Sequence, residues 1–210
     1  PRKSTSQPTE PAAFPPIPRM GIKEFAGVAK VTLGEPWEIG KATMRLALYQ
    51  PDIPQNTGAM LRLAACFGLD VDVILPCGFL FDDRRMRRAG MDYIDQVSIR
   101  RHTSWESYLG DRHGMAEAGV GAGGGVEAGR LILLTTKATL AYTDFAFAEG
   151  DSLLVGRESG GVPPGVAEAA DARLRIPMRA GLRSLNVAMA AAIVAGEAMR
   201  QLNGFTAERI

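Results

Sequence analysis

Short apolar runs alternate with longer amphipathic segments over most of the chain. The apolar runs are rich in aliphatic and β-branched residues and end at polar, glycine or proline positions, which is typical of buried strands. They predict strands at residues 44–49, 71–75, 96–100, 131–136, 152–155 and 173–176. Strands that alternate with helical segments predict a mostly parallel α/β sheet flanked by helices.

The segments between these strands carry signals for helices. Asn56 or Thr57 is expected to cap the first helix, which is predicted to end at Phe67. Gly68 suits the left-handed residue that often follows a helix. Further helices are predicted at residues 82–89, 104–109 and 187–202, with Ser104 as a cap. The glycine- and alanine-rich stretch 114–129 is predicted to be a loop.

Residues 1–42 differ from the rest of the chain. Prolines at positions 8, 11, 15, 16 and 18 interrupt regular structure repeatedly. We interpret this segment as an N-terminal arm that is extended or partly disordered. Residues 43–210 are then expected to form one domain, because a segment of this length is ordinary for a single domain.

Composition limits the class of function. A formal net charge of +1 gives no support for nucleic-acid binding through overall charge, and leaves local basic clusters open. Cys66 and Cys77 form no CxxC pair and lie in or beside apolar segments, so we expect reduced, buried thiols in a cytoplasmic protein, with a disulfide as the unsupported alternative. The chain has no run of about 18 apolar residues, and no membrane span is expected.

Two patterns that suggest other chemistries lack their context. His102 and His113 are the only histidines, and neither has a Cys or Glu at a ligand spacing, so no metal site is expected. Residues 119–124 (GVGAGG) fit the GxGxxG pattern, but the strand before it and the helix after it that dinucleotide binding requires are missing. We interpret them as a surface insertion. A nicotinamide oxidoreductase is therefore the least favoured function, and absorbance of a copurified cofactor would reveal it.

Three islands of sequence carry candidate chemistry, and the first is residues 51–62. Arg62 follows Gly58 by four positions on one helical face, and helical side chains lean toward the N-terminus. The Arg62 guanidinium is therefore expected to pass over Gly58 toward the loop that contains Asn56. A solvated arginine on an amphipathic helix is the alternative, and this island alone does not decide between the two.

The second island, residues 153–163, is a strand that ends in glycines flanking Glu158. Glycines let backbone approach a ligand closely, and ligands in open α/β sheets bind beyond the carboxyl ends of strands. A tight turn with a solvent-facing glutamate is the alternative. The third island leads from a strand at Arg175 through a short turn to Ser184 and Asn186, where the last helix begins. Backbone and side-chain polar groups gathered in this way can hold a small polar ligand.

The three islands, in this order, resemble the three motifs of the SpoU branch of the SPOUT methyltransferases. They match N-x-G-x-x-x-R at residues 56–62, G-x-E-x-x-G-hydrophobic-P at 156–163, and I-P-M followed by S-L-N-hydrophobic at 176–187. Residues 79–93 most resemble branch members that methylate the 2′-hydroxyl of the wobble nucleotide of tRNA, cytidine or uridine 34. Ala188 stands where many relatives carry serine. This difference weakens only a role for a serine hydroxyl at position 188.

The resemblance implies a deep C-terminal trefoil knot, S-adenosylmethionine as methyl donor, a tRNA substrate, and a homodimer with its active site near the interface. The cofactor contacts that it implies are Leu134, Thr135, Thr136, Gly156, Glu158, Ile176, Met178, Ser184 and Leu185. The catalytic candidates that it implies are Arg62, Asn56, Ser184 and Asn186. Arg62 would stabilise the developing alkoxide and clamp a phosphate, since a guanidinium stays protonated near neutral pH. Asn56 would orient Arg62 or the ribose.

A basic segment provides a candidate surface for RNA. Arg84, Arg85 and Arg88 lie close together in one predicted helix, and we expect part of this cluster to contact the tRNA backbone. A solvated helix paired with neighbouring aspartates is the alternative. Two other functions stay open, namely 2′-O-methylation of another tRNA position or of rRNA, and RNA binding without catalysis. Failure to bind S-adenosylmethionine would favour the last.

Overall fold

The structure, a computed structural model, describes residues 44–81, 96–117 and 129–205. Within these ranges the strands are β1 (Arg45–Tyr49), β2 (Asp70–Ile74), β3 (Ile99–His102), β4 (Leu131–Leu134), β5 (Leu140–Ala141), β6 (Ser152–Val155) and β7 (Ala172–Arg175). The helices are α1 (Pro54–Phe67), α2 (Trp105–Glu117), α3 (Pro164–Glu168) and α4 (Val187–Gln201), and a 3-10 turn spans Tyr142–Asp144. The predicted arm at 1–42, the basic segment with Arg84, Arg85 and Arg88, and the glycine pattern at 119–124 lie outside the described residues.

All seven strands join one sheet in the order β3-β2-β1-β6-β4-β7-β5, and every neighbouring pair is parallel. Alternate side chains of a strand point to opposite faces of a sheet. Leu46 and Leu48 of β1 accordingly pack in the core that contains the buried faces of α1 and α4. Ala47 and Tyr49 pack on the other face, with Tyr108 of α2 and Val166 of α3. The predicted parallel α/β fold is confirmed.

Five predicted strands occur within two residues of their predicted bounds, and the third is displaced. β3 begins at Ile99 rather than at residue 96 and continues to His102. The bounds of β3 follow from its pairing with β2, in which Ile99 is opposite Val71 and His102 is opposite Ile74. The buried His102 side chain holds the polar end of this strand in the sheet. β5 and α3 had no counterpart in the predicted elements.

The first helix begins earlier than predicted. α1 starts at Pro54, its N-cap is Ile53, and no side chain caps it, so the predicted capping role of Asn56 or Thr57 is wrong. Proline suits the first turn of a helix because its fixed φ is helical and its missing N–H is not needed there. Gly68 ends α1 with a φ of 65°, as predicted.

The other two predicted helices in the described ranges are present. Ser104 Oγ accepts a hydrogen bond from Ser107 N–H at 3.2 Å, which confirms its capping role, although α2 continues beyond the predicted end at residue 109 to Glu117. α4 begins at Val187, as predicted. The two cysteines are free thiols, but Cys66 lies exposed on α1, so its predicted burial is wrong, and Cys77 is half-buried. In the ranges that the structure describes, the helices are too short or too polar to cross a membrane.

The loop after β6 folds back on itself. Arg157 and Gly161 exchange two backbone hydrogen bonds, with N···O distances of 3.1 and 2.8 Å. A Cβ atom at Gly156 would lie 2.6 Å from the carbonyl carbon of Gly161, whereas a Cβ atom at Gly160 would have no neighbour within 4 Å. Gly156 therefore permits the close approach that shapes this loop.

A network of charged side chains joins β1, β2, β3 and α2. Arg45 donates through Nε to Asp72 Oδ2 at 2.7 Å and through Nη2 to Oδ1 at 3.1 Å. The His102 ring, only 2% exposed, places Nε2 at 2.8 Å from Asp72 Oδ1 and Nδ1 at 2.8 Å from Asp111 Oδ2. Burial alone would raise the pKa of Asp72, but hydrogen bonds and charge from Arg45 and His102 outweigh it, and the pKa lies below its ordinary value.

We expect Asp72→Asn to lower the free energy of unfolding at neutral pH by about 3 kcal/mol, because it breaks a largely buried ion pair. An aspartate with a depressed pKa adds stability above its unfolded pKa of about 3.9 and loses that contribution as pH falls through the folded value. The stability difference between wild type and variant should therefore shrink below pH ~4. Urea unfolding at a series of pH values measures it.

Asp70→Asn is the matched control, since Asp70 also binds Arg45, at 2.7 Å, but its side chain is 44% exposed. Exposed pairs contribute about 1 kcal/mol or less, so this variant should remain close to wild type. A difference for Asp72→Asn that stays constant through the acid range would contradict our account of the network.

Gly156→Ala should destabilise the fold by roughly 1 to 3 kcal/mol, because the added methyl group meets backbone that cannot move without opening the turn. Gly160→Ala, in the same turn, should leave the melting temperature nearly unchanged because its Cβ enters open space. Thermal unfolding of the two variants provides the comparison. Equal melting temperatures would show that the turn is not closely packed at Gly156.

Candidate active site

The loops that carry the three islands leave the sheet at one edge. In the parallel register, Leu48 of β1 and Leu134 of β4 both pair with Val155 of β6, and Leu134 also pairs with Leu174 of β7. The chain therefore leaves β1, β6, β4 and β7 at adjacent positions along the carboxyl edge. This is the edge at which open α/β sheets bind ligands.

A cavity of about 760 Å³ lies at this edge. Eleven of the twelve residues predicted to contact the cofactor or take part in catalysis line it, namely Asn56, Leu134, Thr135, Thr136, Gly156, Glu158, Ile176, Met178, Ser184, Leu185 and Asn186. The structure thus brings the three islands together around one space, and the individual roles of these residues stay predictions.

Glu158 connects the second island to the first. Its Oε1 accepts a hydrogen bond from Asn56 Nδ2 at 3.0 Å, and its Oε2 accepts one from Asp52 N–H at 3.2 Å. The Asp52 carboxylate in turn accepts two hydrogen bonds, through Oδ1 from Glu158 N–H at 3.0 Å and through Oδ2 from Ser159 N–H at 3.2 Å. The solvent-facing glutamate considered from the sequence is therefore not what the structure shows, since Glu158 is half-buried and bonded across two loops.

Asn186 connects the third island to the same set of bonds. Its Nδ2 donates to Asn56 Oδ1 at 2.9 Å. Its own Oδ1 accepts from the backbone N–H groups of Ala188 and Met189, at 2.9 and 3.3 Å, and so caps α4. Asn56 is consequently bonded at both ends of its amide, to Glu158 and to Asn186.

The two carboxyl groups of this cluster have shifted pKa values in opposite directions. Pairing with the Glu158 side chain, together with hydrogen bonds from Ser159 and from backbone N–H groups, lowers the pKa of Asp52 to about 2. Burial raises the pKa of Glu158, and the Asp52 carboxyl raises it further, against the hydrogen bond from Asn56. The negative charge of the pair therefore concentrates on Asp52 when the pH falls.

Arg62 is the predicted site residue that does not line the cavity. It lies exposed on α1, which packs against α4. Gly58, one turn before Arg62, is buried, and the path of the guanidinium over it stays a prediction. Arg62 therefore follows Asn56 closely along the chain, but its side chain lies on the exposed face of α1.

Sequence reasoning missed some residues of the site. Asp52 has its signal in the first island, because it lies three residues after β1, whose carboxyl end meets the ligand edge. Three cationic residues line the cavity itself, Lys137, Arg157 and Arg173. The Nε atom of Arg157 is buried without a hydrogen-bond partner in the described part of the chain. Among the described residues, no three His, Cys, Asp or Glu side chains are grouped as a metal site would require.

Comparison with known proteins assigns the fold to a family. A sequence model of the SpoU rRNA methylase family matches residues 43–196. A protein of Beijerinckia indica named tRNA (cytidine(34)-2′-O)-methyltransferase is 55% identical over 157 residues, which cover 75% of this chain and 91% of the relative. The protein of that name from Escherichia coli K12 is 37% identical over 161 residues, covering 76% and 94%.

Solved structures agree. A structure concerning 2-OH methylation of C/U34 on tRNA has a TM-score of 0.67 at 36% identity, and the match covers 79% of this chain and 99% of the other. The SpoU methyltransferase AviRb from Streptomyces viridochromogenes, in complex with AdoMet, shares the fold at a TM-score of 0.66 and 23% identity, covering 78% and 62%. The predicted resemblance is confirmed, and the chain belongs to the SpoU rRNA methylase family.

Proposed function

We propose that this protein transfers a methyl group from S-adenosylmethionine to the ribose 2′-hydroxyl of the wobble nucleotide, position 34, of tRNA. The observation that carries the proposal is that all three motif loops line one cavity at the ligand edge of the sheet. The relatives named above, with which most of the chain aligns, bear the name of this activity. The reaction proceeds in the cytoplasm, where thiols such as Cys66 and Cys77 stay reduced.

The cavity suits the proposed methyl donor. Its volume lies in the range of about 300 to 1,000 Å³ that is usual for small-molecule pockets. Apolar walls come from Leu134, Ile176, Met178 and Leu185, which can take a nucleobase, and the bare backbone of Gly156 allows close approach. Thr135, Thr136, Glu158 and Ser184 supply polar groups around them. The donor, when bound, supplies a methyl group already activated by a sulfonium, and the chemistry needs no metal.

The protein's own contribution is positioning and electrostatics. A guanidinium stays protonated and donates a planar fork of hydrogen bonds, so Arg62 binds an RNA phosphate and stabilises the alkoxide that develops at the 2′-oxygen. The hydroxyl proton passes to a phosphate or to water as the methyl group is transferred. Ser184 and Asn186 fix the target against the cavity wall. Holding the reacting atoms in line can provide roughly 7 kcal/mol or more of the barrier reduction.

The proposal includes a homodimer. Large apolar side chains are exposed at the start of α4 and just before it, namely Leu182 (65% exposed), Leu185 (39%), Met189 (60%) and Ile193 (38%). An exposed apolar patch on a folded protein usually marks an interaction site. Leu185 also lines the cavity, so a second copy docked on this patch reaches the rim of the site. Arg62 does not line the cavity of its own subunit. In the dimer, the partner subunit's Arg62 can serve that cavity instead.

Three further features belong to the proposal. The chain after β7 forms the deep trefoil knot expected of this fold; the placement of β7 beyond β4, with α4 packed against α1, supports it. Arg84, Arg85 and Arg88 contact the tRNA backbone through charge. Residues 1–42 are an arm attached to a methyltransferase domain at 43–210.

Incubation with S-adenosylmethionine and tRNA, followed by nucleoside mass spectrometry, should reveal 2′-O-methylcytidine or 2′-O-methyluridine at position 34. Arg62→Ala should bind the donor normally but turn over at least about 100-fold more slowly, as expected when one stabilising donor is lost. Arg200→Ala is the matched control, an exposed helical arginine whose partner is Glu197. Methylation elsewhere in the tRNA would refute the assigned position, and unchanged turnover of Arg62→Ala would refute the role of the arginine.

Met189→Asp should convert the dimer to a monomer and abolish methyl transfer, because a buried unpaired charge in an interface is strongly unfavourable. Leu140→Asp, which places the same charge on an exposed apolar residue of β5 (39% exposed, against 60% for Met189), should remain dimeric. Sedimentation velocity gives the oligomeric state. A dimeric Met189→Asp protein would exclude this face as the interface.

A further inference from the structure

Asp52 does not line the cavity, but it fastens a loop that does. It lies in the loop after β1, and its carboxylate accepts the N–H groups of Glu158 and Ser159 at 3.0 and 3.2 Å. Its own N–H donates to Glu158 Oε2 at 3.2 Å. Three hydrogen bonds thus join the loops after two neighbouring strands, β1 and β6, across 106 or 107 positions of sequence.

The loop that Asp52 holds does not need it to form the turn. Residues 156–161 already close through the two hydrogen bonds between Arg157 and Gly161 and through the close approach at Gly156. These contacts within the turn do not fix its position relative to the other loops. Asp52 provides this at the tip of the turn, where Glu158 and Ser159 present consecutive N–H groups.

Asp52 is itself held from the opposite side. Gly78 N–H donates to Pro51 O at 2.9 Å, and a Cβ atom at Gly78 would lie 2.8 Å from Asp52 Cβ. The loop after β2 therefore packs closely against the loop after β1. Asp52 is a fixed point of attachment rather than a mobile surface carboxylate, in agreement with a pKa lowered to about 2 by its hydrogen bonds.

We propose that Asp52 is a positioning residue for methyl transfer, which sets the loop at 156–161 against the loops of the first and third islands. The proposal rests on the proposed function. Asp52 acts through the backbone of Glu158 and Ser159, and the Glu158 side chain carries the alignment on to Asn56 and Asn186. Because residues 156–161 line the cavity, their displacement changes how the donor is held.

Asp52→Ala and Asp52→Asn provide the test. The alanine variant should raise the dissociation constant of S-adenosylhomocysteine, measured by calorimetry, by roughly tenfold, since two N–H groups lose a charged acceptor. The asparagine variant keeps one acceptor oxygen and should lie between it and wild type. The KM for S-adenosylmethionine should rise in the same order while the KM for tRNA stays unchanged. Glu149→Ala, which removes an exposed acid outside these loops, should match wild type.

Hydrogen exchange distinguishes positioning from a general loss of stability. In the Asp52 variants the amide protons of Glu158 and Ser159 should exchange faster, while that of Gly161, bonded to Arg157 O at 2.8 Å, stays protected. If the alanine variant does not fold, the asparagine variant carries the same comparison. Unchanged exchange at Glu158 and Ser159 overturns the proposal, and so does faster exchange with ligand affinity and KM within twofold of wild type.

The proposed function and the role of Asp52 can be refuted separately. A wild-type protein that binds neither S-adenosylhomocysteine nor S-adenosylmethionine refutes the proposed function, and the role of Asp52 falls with it. A wild-type protein that binds and methylates, accompanied by Asp52 variants that do so equally well, refutes only the role of Asp52.

Discussion

The parallel pairing of β6 with β1 on one side and β4 on the other is the constraint on which the site depends. Parallel strands in register end at the same edge, so the loops that follow them start side by side. The loop with Glu158 occupies the middle of this edge. It can therefore bond to Asp52 and Asn56 after β1 while it faces Thr135 and Thr136 after β4 across the same cavity.

Signals confined to a few neighbouring residues predicted local structure well. The cap at Ser104 and the left-handed Gly68 depend on adjacent backbone alone, and both are present. The motif residues were assigned to the site through their resemblance to a family, and they do line one cavity. The sequence could not reveal the partners of these residues, because Asn56 bonds to positions 102 and 130 residues away. The residues next to Asn56 in sequence predict only a helix cap at this position.

The same limit applies to the opposite half of the sheet. Arg100 and Arg101 of β3 are exposed, whereas the next residue, His102, is buried. His102 is buried because Asp72 and Asp111 reach its two ring nitrogens from β2 and α2. The pairing of β2 with β3 supplies Asp72, and the packing of α2 on β3 supplies Asp111. The charge network thus joins β1, β2 and β3, whereas the cavity lies among the loops after β1, β4, β6 and β7.

The orientation of the Asn56 amide follows from the groups at the two ends of its chain of hydrogen bonds. An ionised carboxylate only accepts, so the Asn56 group that faces Glu158 must be the NH₂. At the other end, the backbone N–H groups of α4 only donate, so the Asn186 atom that they meet must be its oxygen. The Asn186 NH₂ then faces the Asn56 oxygen, and each bond fixes the next. Because both ends of its amide are held, Asn56 aligns the three islands, and in the proposed mechanism contact with the ribose and phosphate is left to Arg62, Ser184 and Asn186.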